Sequence, residues 1–193
     1  MDIIQQNLSV RMQRPTLENV PVFHLPPGYS VHWYTPGDVE HWVSIHQRAE
    51  RYAEVTQQVH EENFGDDVKT LHQRQCFLLD GDQNAIATAT AWSDDQYDGR
   101  ISGRVHWVAV APEYQGRGLS KPLLSTVLNR MVELGDDRAY LCTSTARLPA
   151  INLYAVFGFL PSLQTPDDRV VWEQLIPLLH RSKHQSFQEV FHK

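Results

Sequence analysis

The stretch Val105–Ser120, VHWVAVAPEYQGRGLS, constrains this chain more than any other. An apolar, strand-like run from Val105 to Val110 stops at Ala111-Pro112 and passes through Gln115-Gly116-Arg117-Gly118. The segment that follows carries Leu123, Leu124, Val127, Leu128, Met131 and Val132 at helical spacing. Strand, glycine-rich turn and helix start in that order make an anion-binding layout. Glycine lets successive backbone N–H groups converge, and the unsatisfied N–H groups and positive dipole end of the helix add to the field felt by a phosphate. Two other glycine signatures fit worse. A dinucleotide fingerprint needs glycine where Lys121 stands, and a P-loop needs Gly-Lys-Ser/Thr after a longer glycine spacing. Pro122 sets the helix start close to Gly118, because a proline beyond the first turn removes a helical hydrogen bond.

The flanks supply the rest of an α+β domain. Residues 1–27, polar and then broken by Pro15, Pro21, Pro26 and Pro27, read as an extended arm without a fold of its own. From Gly28, YSVHWY alternates as a strand, Pro36-Gly37 turns, and Asp38 is placed to cap a helix running to about Tyr52. A second helical stretch, about Thr56 to Gln73, is interrupted near Phe64-Gly65-Asp66. CFLLD (76–80) and AIATATAW (85–92) flank a Gly81-Asp82-Gln83-Asn84 turn, and a long strand Arg100–Val110 completes a meander. Beyond the central motif, Gly135 stops the helix. AYLCT (139–143) reads as a buried strand reached by a right-handed crossover, and a helix runs from Pro149 to Gly158. A short strand, a loop and a last strand near Val170–Trp172 follow. The tail is weakly helical and crossed by Pro177. The expected division is therefore an arm 1–27, a domain 28–173 and a tail 174–193, with a mixed, mainly antiparallel sheet of about seven strands flanked by helices.

Composition narrows the function. A net charge of −6 without any Lys/Arg block lacks the footprint of nucleic-acid binding, and mildly favours a cationic or neutral substrate. No apolar run approaches a membrane span and the first residues lack the order of a secretory signal, so no membrane partner and a cytoplasmic location are expected. Cys76 and Cys142 lie in apolar strand-like runs, which suggests reduced, buried small side chains. His41 and His46 diverge on a helix. His180 and His184 share a face without a carboxylate or cysteine set, so no metal is expected.

The segment Gln115-x-x-Gly118-x-Ser120 resembles the acetyl-CoA signature Gln-x-x-Gly-x-(Gly or Ala) of the GCN5-related N-acetyltransferases (GNAT), with serine keeping the last position small. Leu153-Tyr154-Ala155-Val156-Phe157-Gly158-Phe159 resembles that family's LYxxxGF segment, and the order of elements from about residue 28 to 173 is similar too. The resemblance implies the GNAT fold with an acetyl-CoA cleft between the fourth and fifth strands, and acetyl-CoA as cosubstrate. It implies cofactor contacts from Val108, Ala109 and Val110, from Gln115, Gly116, Arg117, Gly118, Leu119 and Ser120, and from Arg147, which stands where the family often has asparagine.

It also implies Tyr154 as the acid that meets the departing CoA thiolate, against a plain core role beside Ile151 and Phe157. A substrate amine is protonated at neutral pH and needs a base. Strand alternation puts Arg104, His106, Val108 and Val110 on one face, and the arylalkylamine acetyltransferases of this superfamily carry a catalytic histidine at the position matching His106. Other members use glutamate at the position matching Arg104, a role arginine cannot fill. His106 is the candidate base, and a packed, hydrogen-bonded histidine is the other reading. A backbone N–H near Val108 would stabilise the oxyanion.

The function expected is direct acetyl transfer to a small-molecule amine in a ternary complex. A protein or peptide acceptor and a non-catalytic CoA-binding sensor are the alternatives, and a homodimer is allowed. Trp33, Trp42, Trp92 and Trp107 lie in the half the family uses for the acceptor, as pocket lining or as core.

Overall fold

Seven strands form one mixed sheet in this computed structural model, which describes residues 2–192; the first residue of the expected arm and the last of the expected tail lie outside that range. The strands are β1 (Ser9–Arg14), β2 (Ser30–Trp33), β3 (Gln75–Leu79), β4 (Ala85–Asp94), β5 (Ser102–Val110), β6 (Ala139–Ser144) and β7 (Leu160–Pro161), in the order β2-β3-β4-β5-β6-β1-β7. The helices are α1 (Ile3–Gln6), α2 (Val39–Ala49), α3 (Gln57–Phe64), α4 (Val68–Arg74), α5 (Ser120–Glu133), α6 (Leu148–Val156), α7 (Pro166–Leu175) and α8 (His184–Gln188). The chain divides into two compact units, one of residues 20–93 and 104–135, the other of residues up to 19, 94–103 and from 136 on.

In the first unit, β2, β3 and β4 pair antiparallel, with Ser30 opposite Leu79 and Gln75 opposite Thr90. Tyr34, Trp42, Ile45, Val55, Phe64, Leu71, Phe77 and Ala109 form its buried core. Asp38 stands at the N-cap position of α2, yet its carboxylate turns backwards. It accepts the Thr35 N–H at 2.6 Å and hydroxyl at 3.0 Å and meets His32 Nε2 at 2.8 Å, fixing the turn rather than the helix. The expected break between the next two helices falls at Gly65, with Asp67 capping α4 through the Lys69 N–H at 3.1 Å. In the turn between β3 and β4, Asp80 Oδ1 accepts the N–H groups of Asp82 and Asn84 at 3.0 and 2.9 Å. Gly135, at φ 90°, follows the end of α5 in the left-handed conformation expected there.

The second unit departs from the sequence reading in four places. Within the expected extended arm, residues 9–14 belong to the domain's own sheet. They form β1, which pairs antiparallel with β6 (Ser9 opposite Ser144, Arg14 opposite Ala139) and with β7 (Met12 opposite Pro161). Val10, Met12 and Arg14 are buried while Ser9 and Arg11 are exposed, so the stretch does alternate; its polar neighbours and a buried arginine hide the pattern.

The expected strand at Val170–Trp172 is helical. The Thr165 hydroxyl accepts the Asp168 N–H at 3.2 Å, Asp168 accepts the Thr165 N–H at 2.8 Å, and Pro166 opens the first turn, a capping box that outweighs the β preference of Val170 and Val171. The number of strands is kept because β1 takes the place of this one.

Cys142, expected to be buried, is exposed, because it stands opposite the exposed Arg11 on the one open position of β6. Cys76 is buried as expected; its thiol points to the Ala89 carbonyl at 3.5 Å and burial pushes it up to about 12.

The tail is also more ordered than a weak helix. Pro177 sits in a 3₁₀ turn, Ile176–Leu178, and Trp172 meets Phe187 of α8 edge-on at 5.9 Å, both buried. Thr165→Ala is expected to cost about 1 kcal/mol, a fall of roughly 2–4 °C in Tm by calorimetry. An unchanged Tm would show that the cap contributes nothing.

Candidate functional site

The first unit carries the central motif as one continuous piece. β5 ends where the Ala111 N–H donates to the Ile86 carbonyl at 2.8 Å, and a 3₁₀ turn, Pro112–Tyr114, leads into the loop. Gln115 Nε2 donates to the Val110 carbonyl at 2.9 Å, so its side chain ties the loop to the end of the strand. Gly116 and Gly118 have φ of 78° and 79°, left-handed values that side chains rarely take, and a Cβ at either would meet open space. Leu119 then returns to the right-handed region, and α5 begins at Ser120 with no side chain capping it. Left-handed and right-handed residues in succession turn adjacent N–H groups to one side, and an uncapped first turn leaves its donors pointing outwards. Pro122 falls within that first turn, where its missing N–H costs little.

Positive charge surrounds the loop. Arg117 lies over the Tyr114 ring at 4.7 Å and donates to the Glu113 carbonyl at 2.9 Å, and its hydrogen bond with Tyr29 raises its pKa further. Lys121 lies over Phe23 at 5.2 Å. The segment bearing Phe23 is held to α5 by Ser125, whose Oγ accepts the Phe23 N–H at 3.0 Å and donates to the Pro21 carbonyl at 2.9 Å.

Tyr114 anchors the loop from below by donating its hydroxyl to Asp80 at 2.6 Å. That bond, followed by the Asn84 N–H, holds the Asp80 carboxyl down at about 2. A carboxyl whose folded value lies below its ordinary one adds stability above about pH 4 that is lost as pH falls towards about 2. The urea midpoint of the wild type is expected to fall more between about pH 5 and about pH 2.5 than that of Asp80→Asn; equal slopes would rule out this contribution.

Upstream, β5 does not keep strict alternation. Trp107 has φ 49°, a left-handed value rare for a bulky residue, and both His106 and Trp107 turn to the α2–α3 side. The His106 ring lies 5.3 Å from Phe64, and the Trp107 ring lies 5.0 Å from both Trp42 and His46. The expected strict alternation of Arg104, His106, Val108 and Val110 is therefore corrected, because at the left-handed Trp107 two consecutive side chains, His106 and Trp107, reach α3 and α2. Val108 is half-buried; Ala109 and Val110 are buried, and Ala109 belongs to the core.

His106 Nε2 lies 3.2 Å from Asn63 Oδ1. Asn63 was missed in the sequence because the pairing joins residues 43 apart. One turn earlier on α3, His60 is buried and meets Gln75 Oε1 at 3.1 Å, and burial lowers its pKa. Of the tryptophans, Trp42 is core, Trp92 and Trp107 are half-buried against that core, and Trp33 lies under Arg130 at 4.1 Å.

Tyr154 and Arg147 belong to the second unit. Arg147 stands at the N-cap position of α6, whose first turn holds Pro149. Tyr154 is buried and meets Phe159 edge-on at 6.1 Å. Burial pushes its phenol up to about 12, with the charge of Arg147 pulling the other way. Among the described residues no group of three or more His, Cys, Asp or Glu is placed to hold a metal ion, and no helix is long and apolar enough to cross a membrane.

Residues 39–159 match the family model of the acetyltransferase (GNAT) family. Mycothiol acetyltransferase of Thermobispora bispora is 29% identical over 162 residues, 77% of this chain and 52% of that protein. The enzyme of the same name from Corynebacterium aurimucosum is 39% identical over 70 residues, 36% of this chain and 22% of that protein. The chain thus spans about half or less of the length of these relatives. A GCN5-related N-acetyltransferase from Sphaerobacter thermophilus shares the fold, with a TM-score of 0.66 at 19% identity over 80% of this chain and 48% of that one. With its fold, its glycine loop and this match over most of its length, the chain belongs to the GNAT acetyltransferase family.

Proposed function

We propose that this chain is an acetyl-CoA-dependent N-acetyltransferase whose acceptor is a small-molecule amine. The observation that carries the reading is the Gln115–Ser120 loop, two left-handed glycines leading into an uncapped helix start with Arg117 and Lys121 beside it. Those features fit a diphosphate, because converging N–H groups and nearby cations offset negative charge without a metal. The main chain of Val108, Ala109 and Val110 would continue the contact along the pantetheine. When bound, acetyl-CoA supplies an acyl carbonyl activated as a thioester.

The chain's own residues then have two tasks. His106 takes the proton that keeps the acceptor ammonium from attacking. The family resemblance gives Tyr154 to the leaving sulfur as a hydrogen-bond donor, and with its phenol at about 12 it stays protonated at neutral pH. Complete transfer of its proton to a thiolate of ordinary basicity would run uphill by roughly 5 kcal/mol.

The small-molecule acceptor is supported by the relatives named mycothiol acetyltransferase. The net charge of −6 suits a cationic amine.

The test is a thiol-release screen with acetyl-CoA over small amines, amino sugars, amino acids, polyamines and peptides. Turnover is expected with a small amine. Preference for peptides would overturn the acceptor class. No binding of CoA or acetyl-CoA by calorimetry at high micromolar concentration would overturn the whole reading, and binding without turnover would leave a sensor.

A further inference from the structure

We propose that Tyr114 is a positioning residue for the diphosphate of acetyl-CoA: tied to Asp80 by its hydroxyl and lying under Arg117 by its ring, it holds the Gln115–Ser120 loop in its binding conformation. This inference deepens the function proposed above and rests on the reading of that loop as the cosubstrate site.

The loop cannot hold itself. Gly116 and Gly118 keep their left-handed φ with open space where a Cβ would stand, so packing does not confine them there. Glycine takes many other conformations as readily, and the loop leaves this one unless its neighbours are fixed. Gln115 Nε2 donates to the Val110 carbonyl at 2.9 Å, which ties the loop to its own strand. Arg48 of α2 pairs with Glu113, but both side chains are well exposed and such pairs contribute little. The Tyr114 hydroxyl, donating to Asp80 Oδ2 at 2.6 Å, ties the loop to the turn between β3 and β4.

Asp80 is a firm point of attachment. Its Oδ1 accepts the N–H groups of Asp82 and Asn84, and Asn84 Nδ2 lies 3.2 Å from both of its carboxylate oxygens. The Asp80 N–H donates to the Asn84 carbonyl and the Gln83 N–H to the Asp80 carbonyl, each at 3.0 Å, so the turn is closed by its main chain as well. A phenol donating to a carboxylate makes a charge-assisted bond, stronger than one between neutral groups.

The ring of Tyr114 serves the cation. Arg117 lies over it at 4.7 Å, donates to the Glu113 carbonyl at 2.9 Å and bonds to Tyr29, so its guanidinium is held on three sides. A guanidinium carries five N–H donors and keeps its charge at any working pH, which leaves donors for phosphate oxygens after these contacts are made. One side chain thereby joins the rigid turn, the two glycines and the cation between them.

The experiment compares wild type with Tyr114→Phe, which keeps the ring and removes the tether, Tyr114→Leu, which removes both, and Asp80→Asn, all in the full chain with folding checked by Tm. Calorimetry with CoA is expected to give a Kd raised roughly five- to ten-fold in Tyr114→Phe, because a loop that spends less time in its binding conformation binds more weakly in proportion. The loss is larger in Tyr114→Leu. It appears in KM for acetyl-CoA rather than in kcat, and it is absent with S-acetylpantetheine, a donor that lacks the diphosphate. Asp80→Asn gives part of the loss and adds nothing to Tyr114→Phe, as two ends of one bond require. Without any CoA, the urea midpoint of Tyr114→Phe is expected to fall less than that of the wild type between about pH 5 and about pH 2.5, since the tether is the main cause of the low Asp80 carboxyl. If Tyr114→Leu loses its fold, Tyr114→Phe and Asp80→Asn decide the matter. A wild-type Kd in Tyr114→Phe, an equal loss with both donors, or an unchanged acid response overturns the proposal and leaves the function reading standing. A wild type that binds no CoA overturns the function reading and the positioning role together.

Discussion

His106→Ala is expected to lower kcat by roughly a hundred- to ten-thousand-fold, the range for a positioned proton acceptor, with KM for acetyl-CoA close to wild type. The split follows from where the side chain lies. His106 is on β5 against Phe64 and Asn63, upstream of the Gln115–Ser120 loop, so its loss leaves the glycine conformations and the helix start intact. Binding of CoA by calorimetry should therefore be unaffected while turnover collapses. The defect should be largest with strongly basic acceptors, since the ammonium that must lose its proton then dominates. A variant that keeps wild-type kcat across pH removes His106 from the proton path.

Arg14→Ala is the larger structural experiment. Arg14 is buried on β1, and its guanidinium donates to three carbonyls: Thr16 at 2.8 Å through Nε, Glu18 at 2.8 Å through Nη2, and Phe157 through Nη1. Charge-assisted bonds are among the stronger ones, and truncation strands the buried Phe157 carbonyl above all. Releasing the guanidinium from its buried setting, which itself lowers the arginine pKa, returns part of that loss. The expected net cost is about 3 kcal/mol, or a fall of roughly 6–12 °C in Tm by scanning calorimetry. Arg14→Lys should recover little, because one ammonium cannot reproduce the fork that reaches three separate oxygens. A shift below about 2 °C for Arg14→Ala would show that the three bonds are replaced without cost by water.

Sequence and structure agree best where the signal is local. The glycine loop, the helix it opens, the break at Gly65 and the stop at Gly135 all follow from residues within a few positions of one another. Readings failed where a distant partner or a competing local rule decided. β1 was obscured because its inward residues include Arg14, which is at home inside because the distant Phe157 carbonyl joins two nearby ones in accepting its donors. The strand expected at Val170–Trp172 gave way to a cap five residues upstream. The strand carrying His106 was legible, but alternation along it could not foresee the left-handed Trp107. Asn63 carries no motif at all; only the fold brings its amide oxygen to His106.

The position of β1 bears on how the protein is made. Its neighbours β6 and β7 come from the far part of the chain, and the Leu8 N–H bonds to Thr145, 137 residues later. At ribosomal speeds of about 5–20 residues per second, an early strand with alternating apolar residues waits on the order of ten seconds for its partners to be synthesised. During that interval its edges are open to any other strand. β1 is therefore open to mispairing for as long as the residues between it and β6 take to be made, and agents that shield it during synthesis should raise the soluble yield more than those that act after release.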